Sequence, residues 1–465
     1  MIIGSGFSSL AASCYLAKAG FDVLLLEKNN ELGGRARQLK KQGFVFDIGP
    51  TFYWMPDVFE KFFADFGKSP AQFYDLVKLN PAYQVYFGQN DSIKIADNLE
   101  DIKKTFEEVE KGSAKKLGRF LSKAKLNYEI AIKELVFKPG ENLFEIVTFR
   151  TVVKIRDFFR TIRSQVGQYV KDKKLKSILE FPVLFLGAKP SNTPSFYNFM
   201  NYADFGLGTW HPMGGMYKVV EAMTSLALQL GVEMKTNSPA TGFVIDKGSL
   251  IKVETANSSY HCDIVLSGAD YHHTETLLPS DFRQYHESFW NKKVFAPSAL
   301  LFFIGFDKKI ENVSHHTLFF DTDFEEHATT IYDTKEWAEK PLFYASFPSM
   351  TDSKSAPEGK EAGIFLIPIA PDLEDTPEIR ERYFNQIMQR LELITEQEIN
   401  KHVIFKESYC VNDFKSDYNS YKGNAYGLAN TLRQTHILRP KLKSKKVSNL
   451  YFCGQLTVPG PGVPP

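Results

Sequence analysis

Met1-Ile2-Ile3-Gly4-Ser5-Gly6-Phe7-Ser8-Ser9 opens the chain, and Asp22-Val23-Leu24-Leu25-Leu26-Glu27 comes after it beyond one helical stretch, Ser8 to Ala19. Apolar run, glycine turn, helix and second apolar run together read as a βαβ unit. In that setting a glycine turn lets backbone N–H groups at a helix N-terminus approach a pyrophosphate. Gly4, Gly6, Phe7 and Ser8 are the candidate positions. The third position of the GxGxxG pattern is Ser9, small enough for close helix–strand packing but not glycine. Glu27 stands 23 residues after Gly4, where an acidic side chain hydrogen-bonds an unphosphorylated ribose. The plain alternative is an ordinary βα turn with a solvated glutamate.

FAD and NAD sites share this fingerprint, and the segment that begins at Glu27 decides between them. Glu27-Lys28-Asn29-Asn30-Glu31-Leu32-Gly33-Gly34-Arg35 has the spacing of the flavoprotein extension, in which a Gly-Gly turn and an arginine continue along the dinucleotide. The expected cofactor is FAD, with Lys28, Gly33, Gly34 and Arg35 added to its candidate contacts. Phe46-Asp47-Ile48-Gly49-Pro50-Thr51 supplies a tight backbone able to pass close to a flat ring system, with Pro50 and Thr51 as contacts. Taken alone, that segment also reads as a plain hairpin.

The rest of the composition bounds the answer. With 465 residues, 43% apolar and 24% charged, the chain is an ordinary globular protein long enough for two or more domains. Its 56 Lys/Arg against 55 Asp/Glu give a net charge of +1, which predicts no global affinity for nucleic acid. Four cysteines, Cys14, Cys262, Cys410 and Cys453, form no CxxC pair, so neither a disulfide framework nor a thiolate metal site is expected. A reducing, cytoplasmic setting fits. No apolar run reaches the ~18 residues of a bilayer span. Forty Phe, 21 Tyr and 4 Trp suit an apolar ligand cavity as well as a core, and composition does not choose between them. The chain begins inside its first strand and stops on a Pro-Gly turn, so a trimmed N-terminus and a missing C-terminal helix are expected.

Charge is segregated along the chain. Residues 101–176 carry 19 Lys/Arg against 10 Asp/Glu, a net +9 that leaves −8 elsewhere. Within about 100–190, Val152, Ile155, Phe158, Phe159, Ile162, Val166, Tyr169 and Val170 recur near three-to-four spacing. Arg150, Lys154, Arg156, Arg160, Arg163, Lys171, Lys173, Lys174 and Lys176 accompany them, which predicts a basic amphipathic helix suited to an anionic lipid surface. A solvated face over a core-facing stripe is the alternative. Leu300 to Ile304 and Gly363 to Pro368 read as strands of a second sheet, and Val232 to Val244 as one strand of the first.

Several further segments complete a family likeness. They are Trp210-His211-Pro212-Met213-Gly214-Gly215-Met216, Ser267-Gly268-Ala269-Asp270, His315-His316-Thr317-Leu318-Phe319-Phe320, Gly423-Asn424-Ala425-Tyr426-Gly427-Leu428, and Asn449 through Gly454-Gln455-Leu456-Thr457-Val458-Pro459-Gly460-Pro461-Gly462-Val463-Pro464. With the N-terminal motifs, and in this order, they resemble the bacterial-type phytoene desaturases, the carotenoid branch of the FAD-dependent amine oxidase group, over nearly the whole chain. The resemblance implies an α/β protein: a discontinuous Rossmann-type FAD domain from 1–75, 205–275 and 405–465, and a substrate domain from 76–204 and 276–404. The substrate domain would combine a mixed sheet with the helical, membrane-facing insertion at about 100–190. It also implies that Gly454, Gln455, Pro459, Gly462 and Val463 fold back on FAD and that main chain near Ala240 lies against the adenine.

The expected function is dehydrogenation of phytoene towards lycopene in carotenoid biosynthesis, by a protein peripherally associated with the membrane. Rivals are a desaturase or ketolase of a hydroxylated or C30 carotenoid, an FAD amine oxidase, and a carotenoid-binding protein without activity. No side chain is marked out by spacing as the proton acceptor. His272-His273 and His315-His316 are adjacent pairs whose side chains diverge on a strand, so neither predicts a metal site, and both are expected to be structural or surface residues. No Gly-x-Ser-x-Gly elbow supports hydrolysis. Covalent flavin attachment through Cys410 or Cys453 is set aside in favour of small buried thiols.

Overall fold

A computed structural model describes residues 1–146, 151 and 155–462. Its first layer is a five-stranded parallel sheet in the order Leu450–Phe452, Val265–Ser267, Ile2–Ile3, Leu24–Leu26 and Glu233–Lys235. Ile2 sits between Leu25 and Leu266, and Leu266 pairs in turn with Tyr451. A parallel sheet is covered on both faces, which is why its strands are short apolar runs. Helices Phe7–Lys18 and Tyr217–Gln229 cover one face through Leu10, Cys14, Val219, Val220 and Met223. Start, middle and end of the chain meet in this one sheet.

The stretch from Val232 to Val244 is two strands rather than the one expected. Glu233–Lys235 joins the parallel sheet, and Ala240–Asp246 opens a three-stranded antiparallel sheet with Ser249–Thr255 and Ser259–His261. The break at Asn237, φ +50°, is held by Asn237 N–H on Asn29 O at 2.9 Å and Ser238 N–H on Glu27 O at 2.8 Å. The turn therefore carries the chain past Glu27.

The second layer is a seven-stranded mixed sheet in which Ser298–Phe306 lies between Val403–Tyr409 and Glu361–Ile369. The two strands expected here pair directly, Leu301 opposite Leu366 and Phe303 opposite Ile364. All nine residues of Ser298–Phe306 are buried. Beyond Phe343–Ser346, strand His316–Phe319 runs parallel to Tyr83–Gly88.

The basic segment is not one long helix. Helices Ile155–Phe159, Ile162–Tyr169 and Lys173–Glu180 replace it, and Arg150, Val152 and Lys154 lie outside the described residues. Two local caps impose the breaks: Thr161 accepts from Ser164 N–H, and Asp172 accepts from Lys174 and Leu175 N–H after an extended Val170. Ile162, Val166, Leu175, Ile178 and Leu179 face a core shared with helix Ser113–Ile130. Several cations are matched locally, Lys174 by Asp91 at 2.6 Å and Arg163 by Glu180 at 3.0 Å and Glu325 at 2.5 Å. The apolar stripe of this stretch therefore faces the core. Among the described residues no helix is long and apolar enough to cross a membrane.

Candidate active site

One cavity of about 1080 Å³ runs from the parallel sheet to the helical segment. It exceeds the roughly 300–1,000 Å³ typical of a site for one drug-sized ligand. Its polar half is lined by Gly4, Gly6, Phe7, Ser8, Glu27, Lys28, Gly33, Gly34 and Arg35, joined by Pro50, Thr51, Ala240, Gly454, Gln455, Pro459 and Gly462. The two residues set apart are Ser9 and Val463. Ser9 is buried beneath the cavity floor with its Oγ 3.9 Å from Cys453 Sγ, the close helix–strand contact that its small size allows. Val463 lies outside the described residues.

Each group in this half is fixed from behind. Glu27 Oε2 accepts from Ser5 N–H at 2.9 Å and Ser5 Oγ at 2.5 Å, while Oε1 accepts from Asn29 N–H at 2.8 Å. A carboxylate has about four acceptor sites, so one remains for a ligand hydroxyl. Helix Phe7–Lys18 has no side-chain cap, which leaves its first-turn N–H groups directed at the cavity. A side chain is strained at one glycine here and excluded at another. A Cβ on Gly34 would lie 3.1 Å from Gly6 Cα, and one on Gly49 would overlap the carbonyl oxygen of Arg35.

Arg35 is the decisive group. Its Nη2 donates to Ser420 Oγ at 3.2 Å and Asn424 O at 3.3 Å, and its guanidinium stacks 4.9 Å from the Tyr418 ring. With its oxygen turned inward, the Gln455 amide accepts from Arg35 Nη2 at 3.1 Å. Nε has no partner, and among the described residues no carboxylate pairs with Arg35. Burial lowers its pKa, against the opposing pull of Tyr418 and Asp270. Such a group fits the anionic pyrophosphate of FAD, and the open glycine turn fits its close approach.

Several structural supports had no signal in the sequence. Asp47 has a role its motif did not disclose: its carboxylate accepts from Met216 N–H at 2.8 Å and Tyr217 N–H at 3.3 Å, capping helix Tyr217–Gln229. Asp352 holds Gly214 N–H at 2.5 Å beside it. Two motifs far apart in sequence are therefore one packed unit. Arg439, 2% exposed, fastens the closing segment through Leu428 O at 2.9 Å, Gln455 O at 3.2 Å and Thr457 O at 3.4 Å. It lies in Leu438-Arg439-Pro440, which belongs to no recognisable pattern.

Past Thr51 the lining turns aromatic. Phe52, Phe181 and Phe320 form a chain with centroid separations of 6.0 and 6.1 Å, and Phe158 stacks on Phe196 at 4.6 Å. The histidine pairs fall differently from expectation. His272 and His273 are on helix Tyr271–Thr276, not a strand, with His272 Nε2 bonded to Glu287 at 2.5 Å. His315 and His316 are buried, the structural arm of the expectation, with their rings 4.5 Å apart and that of His211 4.6 Å from His315. Among the described residues no His, Cys, Asp or Glu group could hold a metal ion. All four cysteines are free thiols.

The flavin-containing amine oxidoreductase family matches residues 7–460. The chain is 38% identical to a carotenoid 3,4-desaturase of Haloarcula japonica, across all of this chain and 94% of the relative. It is 30% identical to a 4,4'-diapophytoene desaturase of Staphylococcus aureus, across all of this chain and 95% of that one. Among solved structures, an oxidoreductase from Methanosarcina mazei superposes with a TM-score of 0.64 at 16% identity, covering all of this chain and 96% of the other. Aligned end to end with such relatives, and carrying a cavity that fits their cofactor, the chain belongs to the flavin-containing amine oxidoreductase family and within it to the carotenoid desaturases, as an FAD-dependent oxidoreductase acting on CH–CH bonds.

Proposed function

We propose that this enzyme dehydrogenates the terminal 3,4 bond of an already elongated C40 carotenoid. The observation that carries the reading is the uninterrupted passage from the polar half of the cavity into its aromatic half. The 38% identity to a 3,4-desaturase favours that bond over the earlier phytoene step expected from sequence. Conversion of phytoene towards lycopene is the second reading, and C30 chains the third. An amine substrate has little support, since the described residues of the aromatic half present no carboxylate to hold an ammonium group.

In this reading Gly4, Gly6, Phe7, Ser8 and Arg35 hold the pyrophosphate, Glu27 the ribose, and Ala240 the adenine side. Lys28, Gly33, Gly34, Pro50, Thr51, Gly454, Gln455, Pro459 and Gly462 enclose the rest of the cofactor. Residues 1–75, 205–275 and 405–465 then form the cofactor domain, with 76–204 and 276–404 enclosing the substrate. Bound FAD supplies the two-electron acceptor. The protein's own part is to exclude water and hold an extended chain in register, and aromatic faces stabilise positive charge passing along it.

Entry from a lipid surface is supported by the cavity rim rather than by the lysine-rich face. Phe137, Phe144 and Phe159 are 62%, 85% and 76% exposed, and Leu438 is 48% exposed. Val136, Lys138, Phe159 and Leu438 line the cavity end that these residues border. Aromatic side chains around an apolar opening, with lysine beside them, suit an interfacial contact with phospholipid. The test is flavin-loaded protein incubated with vesicles carrying a single carotenoid, a 3,4-saturated elongated C40 chain, phytoene or 4,4'-diapophytoene, with products separated by chromatography. The 3,4-saturated chain converting fastest supports the proposal. Phytoene converting fastest moves the assignment to the second reading, and oxidation of amines alone rejects both.

A further inference from the structure

We propose that Tyr344, coupled to His316, takes the proton that the carotenoid loses during dehydrogenation. The proposal rests on the carotenoid reading above.

Tyr344 and Thr51 line the cavity where its polar half gives way to its aromatic half. Tyr344 OH lies 2.8 Å from Thr51 Oγ1 and 2.6 Å from His316 Nδ1, a three-member chain leading out of the cavity into the sheet. His316 is fully buried, stacked at 4.0 Å on Phe52, and its Nε2 has no partner.

Among the described residues lining the cavity, the carboxylates and His327 are committed elsewhere, while the Tyr332 hydroxyl and both nitrogens of His436 have no hydrogen-bond partner. Glu27 is bound by Ser5 and Asn29, and Asp417 pairs with Arg37 at 2.5 Å. Asp270 caps helix Tyr271–Thr276, beside His273. His327 uses both nitrogens, one on Pro368 O at 3.0 Å and one on Leu342 N–H at 3.1 Å. His436 faces Glu145 at 3.5 Å, at the end bordered by Leu438.

In the tautomer with Nε2 protonated, Tyr344 donates to Nδ1 and accepts from Thr51. Dehydrogenation removes a hydride from one carbon, taken up by the enzyme's flavin, and a proton from its neighbour. That neighbour's C–H bond breaks, and its electron pair becomes the new π bond. The proton adds to the Tyr344 oxygen as the phenolic proton passes to Nδ1, leaving an imidazolium. Burial keeps His316 neutral beforehand by lowering it well below the ordinary imidazole range. A carbocation beside a polyene is so strong an acid that a weak base suffices.

Tyr344→Phe and His316→Gln test this in protein whose flavin content and spectrum match wild type. The expected result is a fall in kcat of at least ~100-fold at unchanged KM, with loss of the solvent deuterium isotope effect of the wild type. In flavin-free protein labelled with ¹⁵N-histidine, Nδ1 of His316 is expected unprotonated and hydrogen-bonded, with its signal moved by Tyr344→Phe. Turnover of Tyr344→Phe within twofold of wild type overturns the proposal, as does a protonated Nδ1. Failure of wild type to convert any carotenoid rejects the underlying reading instead, and the imidazole signal then decides the hydrogen-bond chain by itself.

Discussion

The two halves of the cavity are built on opposite principles. The polar half is made by backbone: a glycine turn, an uncapped helix start and a Gly-Gly-Arg segment, with Glu27 and Arg35 fixed from behind. The aromatic half is made by side chains drawn from segments about 130 to 270 residues apart, such as Phe52, Phe181 and Phe320. A backbone site demands particular residues at particular spacings, because one Cβ in the wrong place closes it. A site walled by side chains asks only for bulk and apolarity, and many sequences meet that demand.

If the halves are independent, substitutions should separate flavin retention from substrate use. The largest expected effect is Gly49→Val, which forces side-chain atoms into the Arg35 carbonyl and should leave purified protein folded by circular dichroism but almost free of flavin absorbance. Next is Arg35→Ala. Loss of charge-assisted contacts worth about 2 kcal/mol should weaken FAD binding ~30-fold in a fluorescence titration, with Arg35→Lys in between. Phe181→Ala should do the reverse, raising the KM for carotenoid about tenfold through lost apolar contact while flavin content stays at the wild-type level. Co-loss of flavin in Phe181→Ala would show that the halves are not separable. The smallest effect belongs to the rim: Phe144→Ser with Phe159→Ser should lower co-flotation with phospholipid vesicles several-fold and leave flavin binding untouched.

The same contrast explains what the sequence made legible. Gly4, Gly6, Glu27 and Arg35 were readable as residues gathered at one cavity because a glycine turn after a strand constrains the main chain. The strands that hold Leu301 and Leu366 were readable because both runs are continuously apolar, whereas their pairing emerges only in the fold. The basic stretch misled in one respect, since Thr161 and Asp172 break it into short helices, and Glu180 within it and Asp91 and Glu325 from elsewhere in the chain neutralise part of its charge. Asp47 sat inside a motif, yet its partner helix begins 170 residues later, and only the fold brings them together. His316 carried an expectation of structural duty because spacing says nothing about Tyr344 or Thr51. Arg439, with neither motif nor charged partner, left no trace at all.

The most direct test mixes flavin-loaded enzyme anaerobically with vesicles containing a 3,4-saturated elongated carotenoid and records both chromophores in one stopped-flow trace. Loss of oxidised flavin absorbance should coincide in rate with a shift of the carotenoid bands to longer wavelength. A flavin that stays oxidised with every carotenoid supplied, but is reduced by an amine, would contradict the assignment.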